Sequence, residues 1–301
     1  MTVSLRLSDE VSAALATGAP VVALETTLVS HGFSEGRGLA VARESEERVR
    51  AAGAVAATVG IADGAIMVGL DAATLERFAE AGSAARKVGP RDIAACVVQR
   101  ALGSTTVGGT LAACRLAGIT FMATGGIGGV HRGFADSLDI SADLVQIART
   151  RAVVVCSGAK SILDVPATAE VLETLAVPVL GWKTATIPLF YTAAGGPPVS
   201  AVVDTSREVA DVTRAHWAVN PSGGIIVARP PSDGLDLSEV IGRAVQQVQS
   251  HGITGQAVTP AVLALIEDLS DGRSVTVNEA LIADNAGLAG EVAVAYAART
   301  A

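Results

Sequence analysis

The stretch from Gly118 to Asp164 constrains this chain more than any other part of it. Ile119–Ala123 and Ala152–Cys156 are short, largely apolar runs rich in β-branched residues, the pattern of strands covered on both faces. Each run ends in small residues, Thr124-Gly-Gly-Ile-Gly-Gly129 after the first and Ser157-Gly-Ala159 after the second, where a chain can turn sharply or approach a ligand closely. Between and beyond them stand His131, Arg132, Asp139, Asp143 and Lys160. Polar residues gathered past the carboxyl ends of parallel strands mark the ligand crevice of an open α/β sheet. The expected fold is therefore α/β: a single large domain over 1–301 with a mostly parallel mixed sheet flanked by helices.

Composition narrows the function classes. Half of the chain is hydrophobic, but that half is mostly Ala and Val, and only 3% is aromatic, which predicts closely spaced layers of small side chains. Every long apolar run is broken by Gly or a charge well short of the roughly 18 residues that a spanning helix needs, so no membrane segment is expected. Residues 1–9 show no export signal, and Cys96, Cys114 and Cys156 lack the spacing of a metal site or a disulfide framework, so a cytoplasmic location with reduced thiols is expected. The net charge is −8 with no dense Lys/Arg cluster, which argues against a nucleic-acid polymer as partner. A small phosphorylated molecule remains compatible, because a helix N-terminus and one or two cations suffice to hold one phosphate.

In chain order, Ser8 caps a helix, Val21–Leu24 is a strand delivering Glu25-Thr-Thr27 and Ser30-His31-Gly32, and Leu39–Ala51 is an amphipathic helix. Ala56–Val59 and Ala65–Val68 read as strands around a turn at Ala62-Asp-Gly64. Gly103–Gly109 reads as a Ser/Thr/Gly turn opening a helix over Thr110–Ala117, a possible anion cradle. Strands follow at Val177–Leu180 and Ile225–Ala228, with helices from Thr205, over Leu237–His251, over Ala261–Leu269 and over Val277–Ala298.

Lys160 is the sharpest chemical candidate. It lies near the start of a helix expected from Ser161, where the positive helix end and a low-dielectric setting both disfavour its charge and suit a nucleophile. The competing reading is a lysine that grips a phosphate or reaches water. Glu25 follows a strand in a small, apolar setting that raises a carboxyl pKa toward acid/base work, with a helix cap or salt bridge as the structural alternative. Ser141 caps a helix from Ala142, Asp143 falls in its first turn, and Asp139 stands outside it, free to bind a hard cation such as Mg²⁺ or Mn²⁺. His131 shares that loop, either as a site residue or as a hydrogen-bond bridge.

The segments VALETTLVSHG (22–32), ARKVGPRD (85–92), STTVGGT (104–110), ATGGIGGVHRG (123–133), LDISADL (138–144), VVCSGAKSILD (154–164), GGIIVARP (223–230) and VNEALIADNAGLAGEVA (277–293) together resemble the pseudouridine-5'-phosphate glycosidase, or indigoidine synthase A-like, family. The resemblance covers nearly the whole chain in order; the chain departs from the family's usual pattern at 33–38, 193 and 229. It implies reversible cleavage of the C–C glycosidic bond of pseudouridine 5'-phosphate to uracil and ribose 5-phosphate, with a divalent cation, usually Mn²⁺, in a homotrimer that works alongside a pseudouridine kinase. It implies Lys160 as the nucleophile that forms an imine at ribose C1', Glu25 as proton donor and Asp139 as metal ligand. Lys87, Thr106, Val107, His131, Ser141, Ala142, Asp143 and Asn285 are implied as substrate contacts. The alternative within the same chemistry is a glycosidase or synthase acting on another C- or N-ribosyl compound through the same lysine.

Overall fold

The computed structural model describes residues 3–33, 36–253 and 258–298. Eleven strands form one sheet. Its main path runs Leu5–Leu7, Ala65–Val68, Val55–Ala62, Val21–Glu25, Phe121–Ala123, Val153–Cys156, Ile225–Ala228, Val179–Trp182 and Ala201–Val203. Along it only the hairpin of Val55–Ala62 with Ala65–Val68 is antiparallel. A side branch leaves the path where Gly103–Thr105 pairs antiparallel with Val55–Ala62 and then parallel with Arg86–Val88. The central strands are buried along their whole length, which is why they read as continuous apolar runs and not as alternating ones.

Strand alternation divides the apolar side chains between two layers. Val22, Leu24, Phe121, Val153 and Val155 pack against the helices Arg37–Ala51, Ser206–Val219 and Arg273–Ala297. Val21, Ala23, Met122, Val154 and Cys156 face the opposite layer, built on Asp9–Thr17, Val107–Ala117, Ala142–Ala148 and Val165–Thr174. The helix starts use ordinary chemistry: Ser8, Asp71, Thr106, Asp164 and Thr205 each accept a backbone N–H at their side-chain oxygen. Cys96, Cys114 and Cys156 are all buried and free, and burial pushes the thiols of Cys114 and Cys156 up to about 12. Among the described residues no helix is long and apolar enough to cross a membrane.

Two local expectations change. The helix expected from Ser161 begins only at Val165, after a two-residue strand, Leu163–Asp164, that pairs antiparallel with Val130–His131. Lys160 therefore sits in a loop ahead of that helix and not in its first turn. The turn expected at 103–109 is instead a strand, Gly103–Thr105, followed directly by a helix from Val107. Its hydroxyls face inward: Ser104 Oγ donates to Ser30 Oγ, and Thr105 Oγ1 donates to the Val59 carbonyl, so neither forms an anion cradle. Only Thr106 of that segment reaches a cleft.

Candidate active site

Three neighbouring parallel strands, Val21–Glu25, Phe121–Ala123 and Val153–Cys156, end at one edge, and the register explains what meets there. Leu24 pairs with Ala123, so Glu25 and Thr124 occupy the next rung, where Thr124 Oγ1 donates a 2.5 Å hydrogen bond to Glu25 Oε1. Beyond the strands the two Gly-rich loops continue side by side: Ser157 N–H bonds the Gly125 carbonyl, Ile127 N–H the Gly158 carbonyl, and Lys160 N–H the Ile127 carbonyl. That ladder fixes the backbone of Lys160 beside Ile127, in the loop that follows Phe121–Ala123. Small residues are a steric necessity here. A Cβ on Gly128 would collide with Ser141 and lie 2.7 Å from Asp143 Oδ2.

Glu25, Thr27, Lys87 and Lys160 line two adjoining cavities and so form their common wall. The larger, about 300 Å³, is polar: it includes Thr106, His131, Asp139, Ser141, Ala142 and Asp143. The smaller, about 60 Å³, is mostly apolar, with Leu28, Phe33, Phe190, Leu263 and Ile282 beside His31 and Asn278. Phe190 has φ +64°, a left-handed conformation costly for an aromatic residue, and its N–H is held by the Ser157 carbonyl at 3.1 Å. A still larger cavity, about 580 Å³, lies away from these groups beside Glu170, Glu173, Pro197 and Pro198; it contains neither lysine.

Glu25 is only 5% exposed, and burial raises its pKa; Lys160 opposes that rise most, followed by the Thr124 hydrogen bond. It caps no helix, since the following short helix starts at Thr27 with Thr26 at its cap position. Burial thus favours its protonated form at the end of a strand. Lys87 comes from the strand Arg86–Val88, and burial, then the neighbouring Lys160, pull its pKa down while Glu25 and Asp143 push it up. The cleft thus sets two amines against a buried carboxyl.

Asp143 is more tightly bound than its place in a first helical turn suggests. It is buried, its Oδ1 accepts from Gly108 N–H at 2.7 Å and its Oδ2 from Gly128 N–H at 2.9 Å, which ties the first turn of the helix Val107–Ala117 to the Gly-rich loop after Phe121–Ala123. Ser141 caps the helix Ala142–Ala148 as expected. Val107 is fully buried and presents no side chain to the cleft; as the first residue of its helix, its N–H has no intrahelical acceptor. His131 Nδ1 lies 3.8 Å from Asp139 Oδ2, beyond hydrogen-bond range, and burial lowers its pKa against the pull of Asp139. Among the described residues no three His, Cys, Asp or Glu side chains converge as a metal cage. Asp139, a partly exposed carboxylate in the polar cavity, suits a hard cation that keeps most of its waters, not zinc.

Asn285 does not reach the cleft. It is fully buried in the long C-terminal helix, where Nδ2 donates to the Thr124 carbonyl at 2.9 Å and to Ser157 Oγ at 3.1 Å, holding the ends of two site strands from behind. About two turns earlier on the same helix, Asn278 does line the apolar chamber, with an Oδ1 that has no hydrogen-bond partner. Sequence reasoning missed Asn278. The signal was an Asn preceding the apolar run Ala280–Ala283, one of two in the same motif.

An open, mostly parallel sheet that brings a lysine, a buried carboxyl and a second amine to the carboxyl ends of its strands defines an α/β enzyme whose site is built for a small ligand with a polar and an apolar half. A family model described as Indigoidine synthase A like protein matches residues 10–295, and the chain belongs to that family. It is 45% identical to the pseudouridine-5'-phosphate glycosidase of Chloroflexus aurantiacus, over 96% of this chain and 98% of that protein. It is 48% identical to the enzyme of the same name from Streptomyces griseus, over 97% and 92%. Among solved structures it superposes with a TM-score of 0.91 at 39% identity on the prealnumycin C-glycosynthase in complex with ribulose 5-phosphate, covering 100% of this chain and 99% of that one. An indigoidine synthase A-like protein from Thermotoga maritima gives a TM-score of 0.88 at 34% identity, over 97% of this chain and 96% of that one.

Proposed function

We propose that this chain is a pseudouridine-5'-phosphate glycosidase that reversibly cleaves the C–C bond between uracil and ribose 5-phosphate through an imine on Lys160. The observation that carries the reading is the common wall: Glu25 and Lys160 line both a polar cavity sized for a sugar phosphate and an apolar chamber suited to a planar base. The names of relatives at 45% and 48% identity over nearly the full chain support it.

The chemistry follows from the residue types. A C-linked base leaves no heteroatom whose protonation alone would release it. Glu25 instead protonates the ribose ring oxygen while the Lys160 amine bonds to C1', which opens the sugar. Loss of a proton from the new ammonium restores a nitrogen lone pair. A proton delivered to base C5 then allows the C1'–C5 bond to break, its electron pair staying with the base and the Lys160 lone pair closing the C=N bond at C1'. Water hydrolyses the iminium, returning the free lysine and ribose 5-phosphate. Lys87 supplies positive charge for the phosphate, with Thr106, the Val107 N–H and the Ser141–Asp143 helix start as further contacts. Asp139 would hold a Mn²⁺ or Mg²⁺ ion, which supplies charge neutralisation at the phosphate and orders waters. The chain works in the cytoplasm as a homotrimer, on phosphorylated nucleoside supplied by a pseudouridine kinase.

A second reading, a glycosidase or synthase for another C- or N-ribosyl compound, is favoured by the 39% identity to a C-glycosynthase. Uracil release from pseudouridine 5'-phosphate, pseudouridine and uridine 5'-phosphate, each with and without Mn²⁺, separates the two. Release from the first substrate alone is expected. Borohydride added with ribose 5-phosphate should attach the sugar to Lys160, and an active protein left unlabelled at that residue would overturn the imine.

A further inference from the structure

Arg132 stands next to His131, yet it lines neither cavity of the cleft. Its guanidinium turns to the chain that follows Lys160: Nη2 donates to the Ser161 carbonyl at 3.2 Å and Nε to the Leu163 carbonyl at 3.4 Å. Those residues belong to a β-turn, closed where Leu163 N–H donates to the Lys160 carbonyl at 3.0 Å. On the other side, Lys160 N–H donates to the Ile127 carbonyl at 3.1 Å. The main chain of Lys160 is thus tied to a Gly-rich loop through its N–H and to a braced turn through its carbonyl. The backbone of Arg132 also leads into the polar cavity, since Val130–His131 pairs with Leu163–Asp164 and His131 N–H bonds the Asp139 carbonyl at 3.0 Å. Arg132 is exposed, and an exposed arginine loses rotamer freedom when it settles on two carbonyls. Its planar fork of donors is pre-organised for such a double contact, which the compact ammonium of a lysine is not. None of the steps given above uses Arg132.

We propose that Arg132 is a positioning residue for the nucleophile: it braces the turn over 160–163, and the turn aims the Lys160 amine at ribose C1'. This rests on the imine reading. Bond formation needs the amine about 3–3.5 Å from C1' with its lone pair aligned. A lysine head rides on a flexible four-carbon stem, so the fold controls it chiefly through the direction in which the backbone launches it. Without the brace the turn samples more orientations, and fewer of them bring nitrogen to carbon. The cost falls on the step that forms the C–N bond, because other residues grip the phosphate. Arg132 gives and takes no proton, so the electron balance of the imine sequence is unchanged.

Wild type, Arg132→Ala and Arg132→Lys are compared in two assays: steady-state uracil release from pseudouridine 5'-phosphate, and the rate at which timed borohydride quenches trap ribose 5-phosphate on Lys160. Arg132→Ala should lose about tenfold to a hundredfold in kcat and in the trapping rate, with KM near the wild-type value. Millimolar guanidinium, set against sodium at equal ionic strength, should restore part of both rates to Arg132→Ala and leave wild type unchanged. Guanidinium otherwise weakens apolar burial, so it cannot repair a loss that comes from stability alone. Arg132→Lys keeps the charge and should show a smaller loss of the same kind; its kcat and KM carry the comparison if the alanine protein does not fold. Wild-type rates in the variants, a loss confined to KM, or a loss in Arg132→Ala that guanidinium leaves unmoved overturns the role of Arg132 alone. A wild type that releases uracil yet is never labelled at Lys160 overturns the imine reading, and this inference with it.

Discussion

Glu25 illustrates how burial shifts an ordinary carboxyl toward its protonated form. Its folded pKa is raised, so the protein favours the protonated form. Below the unfolded pKa that preference is fully present; as pH rises through the folded pKa, holding an ionised Glu25 in the core costs stability. Glu25→Gln should therefore gain thermal stability over wild type as pH increases, with little difference in acid; comparing melting temperatures across pH 5 to 8 checks the sign. The same variant should lose about 10²-fold or more in kcat, because it carries no transferable proton. Asp139 lines the polar cavity. Asp139→Asn should raise the Mn²⁺ concentration needed for half-maximal activity while leaving borohydride capture at Lys160 intact, read by metal titration after chelation.

The Gly-rich loops depend on one another. Thr124-Gly-Gly-Ile-Gly-Gly129 and Ser157-Gly-Ala-Lys160 form a ladder only because Asn285 and Asp143 satisfy the polar groups that the ladder leaves over. Asn285→Ala leaves buried carbonyls without donors and should cost about 2–3 kcal/mol, measured by denaturant unfolding. Thr124→Val removes the hydrogen bond that lowers the Glu25 pKa, so the alkaline limb of the kcat profile should move to higher pH. The motifs of this region were readable as loops after strands. The delayed helix start at Val165 was not, because Asp164, and not Lys160 or Ser161, supplies the capping oxygen, and a short antiparallel ladder intervenes.

In the molecule as a whole, small side chains permit a thin three-layer stack, and the helices close both sheet faces without large aromatics. Charge is spread at low density, consistent with a partner that is a single phosphorylated molecule. Leu138 and Val219 remain 74% and 87% exposed, ordinary for apolar side chains scattered singly on a surface. Sedimentation equilibrium should report three times the 30.2 kDa chain mass.

Local chemistry written into the chain was enough to mark the central strands, most helices, the two Gly-rich turns, and Glu25 and Lys160 as groups worth watching, because these depend on periodicity, caps and small residues within short windows; the short strands Leu5–Leu7, Arg86–Val88, Gly103–Thr105 and Ala201–Val203 were not marked. Choosing between Asn278 and Asn285 required the fold. Both lie in one helix and one motif, and only packing across the sheet shows that Asn285 is used up behind it while Asn278 fronts the chamber. The unpaired Oδ1 of Asn278 depends likewise on what surrounds it, since a hydrogen-bond vacancy is a property of neighbours distant in sequence.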